Sequence, residues 1–110
     1  MRKSTSWRQL AGSSPHTVRA TDDEFLIEVV HTDGANVIYF HKIIPSVLLA
    51  TAVRRFDIAE ANPEQPTFNG IVFINANLNA AGTEITTSLG DRAIDNEGLA
   101  RFAIVNVYAR

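Results

Sequence analysis

Glu28, Tyr39 and His41 are the residues whose types could do proton chemistry together. They lie in two β-rich runs, EFLIEVVH and NVIYFHK, which flank Thr32-Asp33-Gly34-Ala35. Asp-Gly between such runs predicts a hairpin. With Asp33-Gly34 as the turn, Val30 faces Val37, Val29 faces Ile38, Glu28 faces Tyr39 and Ile27 faces Phe40. One face then collects Phe25, Ile27, Val29, Ile38 and Phe40, a core face. The other collects Leu26, Glu28, Val30, Val37, Tyr39 and His41. A carboxylate, a phenol and an imidazole within about 5–8 Å could pass a proton, or simply form a hydrogen-bonded contact patch. The patch is the plainer reading, because glycoside chemistry would need a second carboxylate across a cleft and nothing places one.

Metal chemistry fares worse. His31 and His41 fall on opposite faces of the hairpin, and a one-residue slip would leave them roughly 13 Å apart along one face. Ligands of one ion sit about 2 Å from it, so neither register chelates, and His16 lies far away in sequence. Asp91, Asp95 and Glu97 invite a calcium loop, but Ala93 and Asn96 occupy positions where the EF-hand needs an oxygen ligand and glycine. With no cysteine in the chain, thiol nucleophiles, disulfides, thiolate zinc and iron–sulfur centres are all excluded. No nucleophile elbow, dinucleotide fingerprint or phosphate loop occurs among the six scattered glycines. The expectation is a chain with no cofactor and no metal, leaning away from catalysis.

Charge is unevenly divided. The net value is −2, yet residues 1–20 hold Arg2, Lys3, Arg8 and Arg19 with no acid, while the other six bases and all twelve acids leave −6 on residues 21–110. Residues 1–20 also contain four serines and few apolar side chains, too little to offset ordering entropy alone. They read as a flexible basic arm with Trp7 as anchor. Its acid-free, Arg- and Ser-rich start also resembles a transit peptide in composition. Arg2, Lys3 and Arg8 around Trp7 could meet phosphates and stack on a base, although the acidic body would repel a nucleic-acid backbone.

The elements that position these residues follow from periodicity. PSVLLATAVRRFDIAEA, residues 45–61, places Leu48, Leu49, Ala52, Val53, Phe56 and Ala59 at helical spacing and predicts a helix with Pro45 in its first turn. A strand from Val47 to Phe56 is the other reading. Asn62 to Pro66 is a loop. FNGIVFINANL and TEITTSL predict a second hairpin, with Val72, Ile74, Ala76 and Leu78 inward and Phe73, Asn75 and Asn77 outward. Asn75 and Asn77, with Asn69 nearby, make a polar row suited to solvent or to edge pairing between chains. Residues 90–98 read as a polar loop or a single helical turn. ARFAIVNVYA is apolar on both faces, which suits a central strand.

The sum is an α+β domain over residues 21–110, about five mostly antiparallel strands with one helix packed on the sheet, or a small barrel-like sheet, preceded by the arm. No apolar run spans a bilayer, and the lack of cysteine fits a cytoplasmic protein. The leading functional expectation is a non-enzymatic structural or interaction protein that forms a homo-oligomer, the arm of one subunit docking on its neighbour or on another partner. A nucleic-acid-associated protein tethered through the arm comes second. A small ligand-binding domain or enzyme using the Glu28/Tyr39/His41 face comes third.

Overall fold

The turn at Gly34 closes a hairpin of two ten-residue strands. In the computed structural model, which describes residues 6–49, 53–60, 71–91 and 101–110, β3 (Glu24–Asp33) returns as β4 (Asn36–Pro45). Gly34 takes a φ of 59° as the first of two loop residues, so Asp33 pairs with Asn36. The expected register would have placed Asp33 inside the turn at positive φ; glycine takes that conformation without a Cβ penalty. Each pairing therefore moves by two: Glu28 faces His41, Val30 faces Tyr39 and Ile27 faces Lys42. A shift of two keeps every side chain on its expected face. Phe25, Ile27 and Val29 are buried, while Val37 and Tyr39 are exposed.

Two antiparallel four-stranded sheets contain all the described strands. One is ordered β1-β8-β3-β4, with β1 at Arg8–Gln9 and β8 at Phe102–Ala109; the other is ordered β2-β7-β6-β5, with β2 at His16–Thr17, β5 at Arg54–Glu60, β6 at Ile71–Leu78 and β7 at Glu84–Asp91. Phe25, Ile27, Val29, Ile44, Val107 and Ala109 from the first sheet meet Ile74, Ala76 and Ile85 from the second in one buried cluster. This is a β-sandwich, with its core between the sheets.

The α+β expectation is corrected by this architecture. No α-helix occurs among the described residues; one 3-10 turn, Ser46–Leu49, follows β4. The expected helix over 45–61 gives way to that turn and to β5. Among the described side chains of its apolar stripe only Leu49 is fully buried, Leu48 and Val53 are exposed, and Ala52 lies outside the described residues. The reason is the free edge of β6. Pairing Phe56 with Ile74 and Arg54 with Ala76 satisfies both backbones, and Phe56 packs on the core while Arg55 and Asp57 stay exposed. A three-residue periodicity carried by Leu, Ala and Val does not outweigh a strand partner.

The second hairpin matches its expected alternation: Val72, Ile74 and Ala76 are fully buried, and Leu78 packs at the margin. Asn79 organises its loop. Its Oδ1 accepts the amides of Thr83 at 2.7 Å and Glu84 at 3.0 Å, while Gly82 turns at a φ of 71°. Strand β7 continues through Gly90 and Asp91, which the expected loop had included; Asp95 and Glu97 lie outside the described residues.

In β8 the simple alternation breaks. Glu28 pairs with Asn106 but Val29 pairs with Ile104, so Val105 bulges. Ile104 and Val107 both turn inward, and Asn106 moves to the outer face. The two-sided apolar pattern thus records a bulged strand rather than one buried on both faces.

Residues 6–20 contribute to both sheets. β1 pairs with β8 and β2 with β7, and Leu10 and Val18 enter the core. The crossing between sheets uses Gly12 at a φ of 75°.

Candidate functional site

The outer face of the β1-β8-β3-β4 sheet carries a polar row one residue wide and four strands long. Gln9 Nε2 donates to Asn106 Oδ1 at 2.7 Å, Asn106 Nδ2 donates to Glu28 Oε1 at 2.7 Å, and His41 Nε2 donates to Glu28 Oε2 at 2.7 Å. Each strand supplies one member. Register produces this directly: Glu28 stands between Asn106 and His41 on its two neighbours, and the bulge at Val105 brings Asn106 to that position.

Both carboxylate oxygens of Glu28 are engaged, which fixes its protonation. The hydrogen bond from Asn106, then that from His41, holds the carboxyl below the usual carboxylate range against a smaller opposing effect of burial. A carboxylate held ionised with both oxygens occupied is a poor proton donor and a hindered base. Tyr39 lies two residues along β4 on the same face, opposite Val30 and more than half exposed. The arrangement is a line of amide, carboxylate and imidazole, bordered on β4 by exposed Val37, Tyr39 and Ile43.

The structure brings Glu28 and His41 together with Tyr39 beside them on the same face, and places Trp7, Arg8, Asn75 and Asn77 elsewhere. Trp7 lies against the guanidinium of Arg110, 4.0 Å from its ring centroid, and Arg8 makes a forked pair with Asp22 at 2.7 and 3.2 Å. Burial pushes the Asp22 carboxyl up, but the bonds from Arg8 and from the Arg19 amide outweigh it and leave the group below its ordinary range. Trp7 and Arg8 thus engage their own chain. Arg2 and Lys3 lie outside the described residues.

Asn75 and Asn77 occupy the outer face of the other sheet, beside Ser88 and Thr86. There Phe73 lies over Gly90 and under Arg55, whose guanidinium is 4.6 Å from the ring centroid. His31 faces inward against Phe102 at 4.6 Å, away from His41, and His16 Nδ1 lies 3.2 Å from Ala11 O. No cluster of three or more His, Cys, Asp or Glu able to hold a metal occurs among the described residues.

Gln9 and Asn106 escaped sequence reasoning. An amide in the middle of the apolar run FAIVNV was the available signal, since a buried amide needs a partner. No helix among the described residues is long and apolar enough to cross a membrane, which leaves strand-borne spanning unaddressed. No protein-family model, no curated protein and no solved structure matches this chain, so the functional reading rests on its own geometry.

Proposed function

We propose that this chain is a non-enzymatic interaction protein that self-associates, with β4 as the joining edge. The observation that carries the reading is the state of that edge. β4 is ten residues long and terminal among the described strands of its sheet, and Val37, Tyr39 and Ile43 on it are about half exposed. Sandwich proteins ordinarily blunt so long an apolar edge.

Backbone parity supports a second copy as the occupant. Ser46 N donates to Asp23 O, while Glu24 exchanges bonds with Arg110. Odd residues of β3 therefore bond toward β4, which engages Asn36, Ile38, Phe40, Lys42 and Ile44. Val37, Tyr39, His41 and Ile43 turn their amides and carbonyls outward. An antiparallel pair of β4 strands centred on Phe40 sets Val37 opposite Ile43 and Tyr39 opposite His41 in both directions, matching the outward groups of these four residues. Such a pair closes on a two-fold axis and does not propagate. It also places each Lys42 opposite Ile38, with the two ammonium groups offset by about 14 Å along the strands. That exceeds the screening length of about 8 Å at physiological salt.

The test is absolute molar mass by light scattering, at low and high salt. The reading expects a mass twice the 12.1 kDa of the single chain. Val37→Lys with Tyr39→Lys, at positions exposed on the hairpin, should return the monomer with an unchanged far-UV spectrum. A wild-type monomer at every concentration would sink the reading.

A further inference from the structure

A cleft of about 530 Å³ opens at the opposite edge of the same sheet. Ile104, Val105, Asn106 and Val107 of β8 form one wall, the connection Leu10–Ser14 forms another, and His16 and Thr87 also line it. The cleft exists because β1 is short. β8 has eight residues, yet β1 pairs with it only at Ala109 and Tyr108, and one further bond runs from Leu10 N to Val107 O at 2.8 Å. Gly12 then carries the chain away to the other sheet.

The two sheets end differently on this side. At β7, Ser14 Oγ accepts the Thr87 amide at 2.9 Å and so closes the first position beyond β2. At β8 no described strand pairs beyond Val107 on that side. Thr32 N donates to Arg101 O, so beyond the bulge the odd residues bond toward β3 and Ile104 turns its N–H and C=O into the cleft. Val105, bulged and 42% exposed, supplies an apolar contact beside them.

We infer that this cleft receives an extended, uncharged peptide segment that adds to β8 as a strand, bonding to the backbone of Ile104. The stretch Ala103–Asn106 takes about four residues of extended chain, roughly 13 Å. The described lining selects against charge: among the described residues it consists of hydroxyl, amide, imidazole and aliphatic groups, with no Asp, Glu, Lys or Arg. A charged side chain entering it would lose water without gaining a counterion. β-branched residues alternating with hydroxyl-bearing ones fit both walls, and the backbone ladder supplies the affinity. This edge is separated from β4 by the width of the sheet, so the inference stands independently of self-association.

The experiment titrates the acetylated, amidated hexapeptide of alternating Thr and Val into the 15N-labelled full chain. Saturable shifts at Ile104 and Val105, with slowed exchange of the Ile104 amide, are the expected result. Val105→Glu should weaken binding at least tenfold while leaving the melting temperature within a few degrees. Absent shifts, or shifts confined to Val37–Ile43, overturn the inference. Shifts produced by cellotetraose and not by the peptide also overturn it, in favour of a saccharide.

Discussion

Glu28 and His41 stand directly opposite each other on β3 and β4, His41 Nε2 lying 2.7 Å from Glu28 Oε2. With Asn106 on the other carboxylate oxygen, the pair ties three strands of one sheet together. Because Glu28 is held below the ordinary glutamate range, its contribution is present above the unfolded-state value and is lost as pH falls through the folded one. Wild type should therefore lose thermal stability more steeply than Glu28→Gln below the ordinary glutamate value. The pair is partly exposed, so the difference should stay under about 1 kcal/mol. Parallel acid limbs in the two melting series would contradict this.

Arg8→Ala should be more damaging than any other removal of a base in residues 6–20. It strands Asp22, whose side chain is only 5% exposed, next to the single remaining Arg19 amide bond. A charge-assisted bond of this kind contributes about 1.5–3 kcal/mol, and the loss should appear as a lower denaturant midpoint. The effect should shrink in acid, as Asp22 takes up its proton. Arg55→Ala, whose pairing with Asp57 is long at 3.5 Å and half exposed, should cost less.

Gly90→Ala tests the outer face of the second sheet. An added Cβ would lie 2.3 Å from Cε1 of Phe73, so the ring must leave its seat under Arg55. The expected cost is about 1–3 kcal/mol. In a Phe73→Ala background the same substitution should cost almost nothing, since the clash has gone. Additive losses in a double-mutant cycle would refute the contact.

Asn79→Ala removes the acceptor of two loop amides, at Thr83 and Glu84. Destabilisation of about 1–2 kcal/mol is expected, with faster amide exchange at Thr83 and Glu84 and little change at Gly34. Equal acceleration in both hairpin turns would show that the loss is global.

Much of the sheet was legible in the sequence, and the site was half legible. In EFLIEVVH and IVFINANL the polar residues Glu28, Asn75 and Asn77 mark one face as outer, and period two then assigns the opposite face to the core. The pairing partner of Glu28 was not legible: whether Gly34 takes the first or second loop position depends on backbone angles that Asp-Gly does not determine. Asn106 was hidden by the bulge at Val105, which no local composition signals. The segment at 45–61 misled because its Leu, Ala and Val spacing suits a helix, whereas the free edge of β6 is a non-local fact. Residues 1–20 looked too polar to fold, yet within the described part, 6–20, Leu10 and Val18 suffice to join two existing sheets at two-residue strands.

Self-association through β4 is tested most directly by amide hydrogen exchange along that strand as a function of protein concentration. At low concentration Ile38, Phe40 and Lys42 should be protected by β3 while Val37, Tyr39, His41 and Ile43 exchange freely. Raising the concentration should slow exchange in the second set until the alternation disappears. An alternation that persists unchanged at every concentration would contradict the account.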